Sequence, residues 1–363
     1  MIDGLKEDNN EKKKILHIRS SILHLKRILS ILIFTISFAF SLKAQDLHFS
    51  QFFNAPLTIN PANTGFIPDA DYRVGVHYRN QWSSILTAPY KTVSAFADAQ
   101  VLRNKIENGW LGLGGYILSD VAGTGTLRST QVYGSVAYHQ MLGRGSLLSA
   151  GFNLGWVNKQ IDASKLTFPD QFNGTFFDNT IQNSDDVITK PNVSFFDMQA
   201  GVNYAYFPTD DIYINVGYSI QHVNAPTESF FGDKTSDGKL PLRQIAFFSA
   251  LLKPNAKVIL NPNAYFTTQA KSTELMFGLN ANYDLEDGGN KQLILGAYYR
   301  WGDAAIAVAG IEINHIRFTF SYDITTSALA QFNGSQGAEE FNLMKKGFYN
   351  DNSSPKQSLC PEF

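Results

Sequence analysis

The sequence predicts an all-β protein, a transmembrane antiparallel β-barrel of about 14 strands, and three observations predict it. Apolar and polar residues alternate with a period of two along most of the chain. A segment typical of an export signal precedes this alternating region. No later segment approaches the roughly 18 continuous apolar residues that indicate a membrane helix. The remaining route into a membrane is a closed barrel, in which each backbone group pairs with a neighbouring strand.

The first 44 residues have the pattern of a signal peptide. Basic residues, among them Lys12 and Arg27, lead into an apolar run from Ile28 to Phe40, and the small residue Ala44 follows. About 13 apolar residues are too few to cross a bilayer as a helix, which needs roughly 20. The segment therefore predicts export with cleavage after Ala44 rather than an uncleaved anchor.

Charge and cysteine content narrow the function classes. Residues 1–44 hold eight of the 30 basic and four of the 32 acidic residues, so 22 basic and 28 acidic residues follow. This balance gives no reason to expect a nucleic-acid partner. The sole cysteine, Cys360, cannot form an internal disulfide. An exported chain of this kind therefore depends on packing or on a membrane for its stability.

The strands follow from the alternation. The clearest lies near the carboxyl terminus, where Ile316, Phe318 and Phe320 take one face and Arg317 and Thr319 take the other. An even number of strands places both ends of a bacterial barrel on the periplasmic side. The predicted strands begin near residues 71, 90, 110, 128, 146, 193, 211, 242, 256, 273, 291, 304, 316 and 338.

The connections between these strands predict the orientation of the barrel. The two longest, roughly 159–192 and 224–241, both follow odd-numbered strands, whereas short turns such as Pro208–Asp210 follow even-numbered strands. If the first strand runs outward, the long loops lie outside the cell and the short turns lie in the periplasm, as in outer-membrane barrels.

The tryptophans support a membrane barrel over a soluble β-sandwich, the alternative that alternation alone leaves open. Each lies near a predicted strand end, where an indole suits the membrane interface. They are Trp82, Trp110, Trp156 and Trp301.

Residues 45–70, which lie before the first strand, differ in sequence pattern from the strands. Pro56 and Pro61 and the weak alternation argue against a ladder strand. We expect an ordered plug or a periplasmic segment that packs against the barrel. The predicted organisation is a signal peptide at 1–44, the plug or periplasmic segment at 45–70, the barrel at 71–348 and a periplasmic tail at 349–363.

Several motifs resemble the PorP/SprF family of type IX secretion system outer-membrane proteins. Residues His48–Gly65 resemble its amino-terminal signature, which has approximately FSQYYNAP, then LNPA, then TG. Further matches span essentially all of the chain after residue 44: Tyr78–Trp82, Gly112–Gly125, Leu166–Gln171, Tyr299–Asp303, Ser321–Asp323 and a CPxF-like ending at Cys360–Phe363. One departure is visible, because the family often has His-Glu-Ile where this chain has Glu339, Glu340 and Phe341.

The resemblance implies an outer-membrane barrel, similar to the FadL type, that is found in Bacteroidetes and works with type IX secretion. Family members are often paired with a large secreted or surface-attached adhesin, in some organisms one used for gliding. The implied partners are therefore an adhesin-like protein, other type IX secretion components and outer-membrane lipid. The secretion role comes from the resemblance alone.

Two sets of residues are candidates for function. The first is a partner-binding or plug surface in the amino-terminal segment: His48, Phe49, Phe52, Phe53, Asn54, Pro56, Asn60 and Pro61. The second is a lumen polar network, since a charge that faces lipid at mid-depth costs about 2 to 4 kcal/mol. Its members are Arg73, Arg79, Arg300, Glu312, Arg317 and Asp323. These charges either line a path for a ligand or polypeptide or form a structural salt-bridge network that holds the plug.

An enzyme, a metal site and a cofactor are not expected. The histidines beyond residue 44 are scattered and form no HExxH motif or close pair: His48, His77, His139, His222 and His315. No GxSxG motif of a lipase occurs. The sequence therefore predicts an outer-membrane component that supports export or attachment of an adhesin. A channel for a small apolar or polar solute is the alternative.

Overall fold

The structure is a computed structural model. It describes residues 46–349 apart from 104, 144, 167, 169–170, 179–180, 182–187, 189, 231–237 and 287–289. The predicted signal peptide and its cleavage point, the tail from residue 350 and the CPxF-like ending lie outside the described residues.

Fourteen antiparallel strands form a closed barrel in which each strand pairs with its neighbours in sequence and β1 pairs with β14. The predicted barrel is confirmed, and each predicted strand start lies within two residues of the observed one. The strands are β1 (Tyr72–Gln81), β2 (Tyr90–Val101), β3 (Gly109–Ala122), β4 (Leu127–Gly143), β5 (Ser146–Gln160), β6 (Asn192–Thr209), β7 (Ile212–Gln221), β8 (Arg243–Asn255), β9 (Val258–Gln269), β10 (Ser272–Asp284), β11 (Lys291–Arg300), β12 (Ala304–Ile313), β13 (Ile316–Thr325) and β14 (Gln336–Gly347). Within the described residues, no helix has the length and apolar character of a membrane span.

The wall of the barrel is apolar outside and polar inside. In β10, Leu275, Phe277 and Leu279 are exposed on the outer surface, whereas Glu274 and Asn280 are buried. The pleat sends successive side chains to opposite faces, so the alternation in the sequence becomes the two faces of the wall. A continuous apolar outer surface suits hydrocarbon rather than water.

The two ends of the barrel differ in the length of their connections. At one end, the connections after β5 and β7 span residues 161–191 and 222–242. At the other end, the turns after β4, β6, β8 and β12 have two residues each. We call these the long-loop end and the short-turn end.

Residues 46–70, here called the lumen segment, lie inside the barrel. They contain a 3₁₀-helix at Phe52–Asn54, a one-turn α-helix at Pro56–Ile59 and a second 3₁₀-helix at Pro61–Asn63. Pro56 and Pro61 each stand at a helix start, where the missing N–H breaks no helical hydrogen bond. Apolar clusters join the segment to the wall, for example Phe52 with Tyr265 and Tyr298. The core of the protein is therefore the filled lumen.

Trp110 does not lie at the membrane interface, so this part of the sequence interpretation is wrong. Its side chain is 1% exposed, and its indole N–H donates to the carbonyl oxygen of Gly65 at 2.9 Å. The reason is that inner-face and outer-face positions alternate along β3, and position 110 is on the inner face. Trp156 and Trp301 are exposed on the outside of the protein.

Candidate functional site

The lumen segment touches the wall where the wall has glycine. A Cβ atom at Gly112 of β3 would overlap the carbonyl oxygen of Thr64, and one at Gly151 of β5 would overlap the backbone of Pro61. Only glycine permits such close approach of two backbones. The wall glycines therefore explain how the helical turns around Pro61 fit against a sheet.

Asn60 of the signature motif links the lumen segment to β6. Its side-chain NH₂ donates to the carbonyl oxygen of Val202 at 2.9 Å, and its side-chain oxygen accepts from the N–H of Ala62 at 2.9 Å. The second contact caps the 3₁₀-helix that begins at Pro61. A Cβ atom at Gly201 would overlap the Asn60 side chain. One asparagine thus caps a helix and anchors it to the wall.

Wall side chains also satisfy the backbone of the lumen segment. His139 binds the carbonyl oxygen of Thr64 at 2.8 Å. Ser219 donates to Ile59 at 2.5 Å, and Gln221 donates to Thr58 at 2.8 Å. A segment outside the strand ladder needs partners for its backbone groups. The wall supplies them, so the segment is held like a bound peptide.

Glu340 of β14 is the centre of a charged cluster at the pairing of β1 with β14. Its carboxylate accepts the backbone N–H groups of Ser50 at 2.6 Å and Gln51 at 2.8 Å. It also forms an ion pair with Arg79 and contacts His77 Nε2 at 3.1 Å. Arg79 lies directly opposite Glu340 across the two strands. The cluster therefore joins the lumen segment to both strands that close the barrel.

Asp323 and Arg300 extend this cluster. The Ser50 hydroxyl donates to Asp323 at 2.7 Å, and Arg300 contacts Asp323 at 2.9 Å and Asp303 at 2.8 Å. Arg79 reaches Asp323 at 3.5 Å. Three predicted network residues, Arg79, Arg300 and Asp323, thus meet around Ser50. Buried charges of opposite sign compensate one another here.

The other three predicted network residues lie elsewhere in the lumen. Arg73 forms two hydrogen bonds with Asp98, at 2.8 and 2.9 Å, and a third with the carbonyl oxygen of Asn63 at 2.9 Å. Arg317 pairs with Glu312 at 2.6 Å near the short-turn end. The predicted network is therefore three separate groups, each containing an acid and a base.

The predicted aromatic residues of the lumen segment pack against the wall. Phe49 stacks on His77 with ring centroids 4.2 Å apart, and Phe53 stacks on Tyr298 at 5.1 Å. Phe52 contacts Tyr298 edge-on at 6.0 Å.

The polar members differ in their surroundings. Asn54 donates to the Thr319 hydroxyl at 2.9 Å. His48 Nδ1 lies 3.1 Å from a carboxylate oxygen of Glu274. Burial, together with the charges of Arg300 and Arg79, holds the pKa of His48 well below its ordinary value. Pro56 is half-buried and Pro61 is buried.

At the long-loop end, His222 lies between two aspartates that were not among the predicted site residues. His222 Nδ1 is 2.9 Å from Asp197 and Nε2 is 2.5 Å from Asp46. The Tyr133 hydroxyl donates to Asp197 at 2.5 Å. Burial alone would lower the pKa of His222, but hydrogen bonds and charges of Asp197 and Asp46 raise it to about 9. A charged His222 therefore holds the beginning of the lumen segment.

Sequence reasoning also missed Glu340, His77 and Asp98. Each is buried on the inner face of its strand, so the alternation could have predicted that all three side chains point inward. The alternation does not predict which inward side chains contact one another. Within the described part of the chain, no group of three or more His, Cys, Asp or Glu side chains is arranged to hold a metal ion.

Comparisons with known proteins place this arrangement in context. Residues 41–343 match the family model described as "Type IX secretion system membrane protein PorP/SprF". No curated protein matches the sequence. Similar solved structures include the CymD monoaromatic hydrocarbon channel, with 10% identity and a TM-score of 0.49 over 82% of this chain and 94% of that chain. The P. putida toluene transporter TodX has 11% identity and a TM-score of 0.48 over 82% and 95% of the two chains. A Pseudomonas aeruginosa FadL homologue has 11% identity and a TM-score of 0.46 over 78% and 91%. These structural similarities carry no functional conclusion.

Proposed function

The chain belongs to the PorP/SprF family of type IX secretion system membrane proteins, and from this premise we propose that it supports export or surface attachment of a large adhesin-type partner. In a gliding organism, that partner would be a motility adhesin. The location is the outer membrane, since a closed barrel with an apolar outer surface belongs to this secretion family. The proposal includes a cleaved signal peptide at 1–44, a plug at 45–70, a barrel at 71–348 and a periplasmic tail at 349–363.

The observation that carries the proposal is the way the lumen segment is held. His222 binds its beginning, Glu340 binds its backbone at Ser50 and Gln51, and wall glycines receive its signature motif. A segment bound at so many points favours a permanently filled barrel over an open pore. Most of the candidate residues in the segment are buried, which supports the plug role over direct contact with a partner.

A partner surface must then lie outside the lumen, and the long connection after β5 offers one. Phe172, Phe176 and Phe177 are 49%, 59% and 52% exposed. A short hairpin presents them, because Asn173 accepts the N–H groups of Thr175 and Phe176 in a turn. Exposed apolar patches of this kind mark interaction sites. We propose that this hairpin contacts the adhesin.

The test is quantitative surface labelling of an adhesin encoded beside this gene. Deletion of the gene should abolish display of the adhesin. Replacement of the three hairpin phenylalanines by serine should strongly reduce display at unchanged barrel levels. Phe348→Ser, which removes an exposed phenylalanine near the short-turn end, is the matched control. Normal display in the triple variant would contradict the contact role of the hairpin.

The alternative is a channel for a small solute. A cavity of about 230 Å³ beside Phe53 and Pro56 favours it. Planar-bilayer conductance distinguishes the two functions, because a filled lumen predicts no steady current from the intact protein, whereas a channel predicts a current.

A further inference from the structure

Two neighbouring chambers lie beside the lumen segment, toward the short-turn end of the barrel. The inner chamber, about 230 Å³, lies between the segment and the wall, and the outer chamber, about 440 Å³, lies at the short-turn end. Asp69, Leu251, Arg317 and Lys346 line both. Because the same four residues line both chambers, the chambers adjoin one another, and together they can hold one elongated ligand near the short-turn end.

The inner chamber has an apolar surface that the described residues leave partly uncovered. Phe53 and Pro56 of the lumen segment face it and are only half-buried, and Phe247 and Leu251 of β8 lie across from them. Concave surfaces with aromatic residues and a few polar groups are typical of ligand sites. The inner chamber thus suits an apolar side chain or another apolar group.

Each chamber also holds a buried acceptor to which no described residue donates a hydrogen bond. Asn215 is 7% exposed and lines the inner chamber, and Asp284 is 8% exposed and lines the outer one. One side-chain oxygen of each, Oδ1, has no hydrogen-bond partner among the residues that the structure describes. Buried polar groups are normally paired. A ligand that satisfies both oxygens must be elongated and must carry at least two donors.

The charges of the inner chamber indicate that this ligand is not an anion. Its cations are already paired, Arg73 with Asp98, Arg317 with Glu312, and Lys346 with Asp69. The outer chamber adds Lys253, but its lining has as many carboxylates (Asp69, Asp284 and Glu312) as cations (Lys253, Arg317 and Lys346). The lining therefore offers no excess of positive charge to a fatty acid or phosphate, and a hydrocarbon would leave both acceptors unpaired.

An extended peptide meets all these conditions, because it has an N–H group at nearly every residue and apolar side chains at intervals. We propose that the two chambers bind an extended peptide segment of a protein on the short-turn side. One apolar side chain occupies the inner chamber, and backbone N–H groups donate to Asn215 and Asp284. This site is independent of the proposed adhesin contact, which lies on a long-loop connection at the opposite end.

The test uses the full protein in lipid nanodiscs and four pools of synthetic hexapeptides, acetylated and amidated at their ends. Each pool has one fixed residue, Phe, Leu, Asp or Lys, among random positions, and mass spectrometry measures the retained peptide. The Phe and Leu pools should be retained about tenfold better than the Asp pool, as expected for one buried apolar anchor. Ser249→Trp, which fills the inner chamber, and Asn215→Leu should each lower this retention about tenfold.

Gln131→Leu is the matched control, because it replaces an amide that lines a different cavity near the long-loop end, and it should leave retention unchanged. A heat-modifiable gel band shows that each variant is folded, and Asn215→Leu keeps the test decisive if Ser249→Trp does not fold. Equal retention of all four pools overturns the proposal. Binding of the neutral apolar dye N-phenyl-1-naphthylamine, lost in Ser249→Trp, without selective retention of the Phe and Leu pools also overturns it and indicates a solute site. Neither result bears on adhesin display.

Discussion

At the scale of single residues, Glu340 joins three parts of the molecule. Its side chain has 0% exposure, and its partners are Arg79 and His77 on β1 and two N–H groups of the lumen segment. Burial of a carboxylate has a large unfavourable desolvation free energy, which cationic and N–H partners offset. The cluster is therefore stable as a unit and sensitive to the loss of any member.

Glu340→Gln should destabilise the barrel by about 3 kcal/mol, because it removes the nearer carboxylate from the buried Arg79 guanidinium and leaves it only the longer contact with Asp323. The measurement is the temperature at which the compact band on a gel is lost, with Glu339→Gln as the control. Glu339 is the neighbouring residue and points to the other face of β14. An unchanged transition for Glu340→Gln would contradict the importance of this ion pair.

The contact of His222 with Asp46 should depend on pH. The pKa of His222 is raised from 6.5 to about 9, so the charged form stabilises the folded state fully below pH 6.5. This contribution is lost as the pH rises through about 9. A cysteine introduced as Leu47→Cys, in a Cys360→Ser background, should react faster with a thiol reagent above this pH after correction for thiol ionisation. The dependence should be absent in His222→Gln, and an identical profile in both proteins would show that His222 is not responsible.

At the scale of elements, the strands do more than form a wall, since their glycines admit the lumen segment. Gly112 and Gly151 lie where the backbones of Thr64 and Pro61 touch the sheet. A strand normally loses stability through glycine. Here the loss is offset by the contacts that the close approach permits.

Gly151→Ala should cost about 1 to 3 kcal/mol of stability, because the added methyl group overlaps the backbone of Pro61 and the lumen segment must shift. Gly134→Ala is the control, since the nearest atom to its added Cβ is a carbonyl oxygen 4.0 Å away. Thermal loss of the compact band and proteolysis of the lumen segment measure the effect. Equal behaviour of the two variants would show that the segment adapts to the methyl group.

At the scale of the whole molecule, the lengths of the connections at the two ends predict which end of the barrel lies outside the cell. The long connections follow odd-numbered strands, and bacterial barrels place such loops outside. An epitope tag near Asn173 should therefore bind antibody on intact cells, whereas a tag in the turn between β4 and β5 should bind only after lysis. A second tag near Asp233, in the sequence between β7 and β8 and outside the described residues, should give the same result as the tag near Asn173. Reversed accessibility would refute the orientation.

Deletion of Asp46–Asn63 tests the filled lumen. The strand ladder and the apolar outer surface do not include this segment, so the barrel should still insert into the outer membrane. Without the segment, the lumen is open to water, and we expect a steady ionic current in planar bilayers that the intact protein lacks. Display of the adhesin should fall. Equal currents from both proteins would contradict a plug role.

The sequence by itself determined the number, order and facing of the strands, because a pleated strand turns a period of two directly into two faces. It also placed the long connections at one end, because connections that follow odd-numbered strands of an antiparallel barrel all lie at the same end. Only the tertiary structure decided that the lumen segment begins at the long-loop end, that the Trp110 indole meets Gly65 and that Ser50 meets Glu340. Alternation is a local property of neighbouring residues. Contacts between residues 290 positions apart arise only when the barrel closes around the segment, and no local pattern records which inward side chains then face one another.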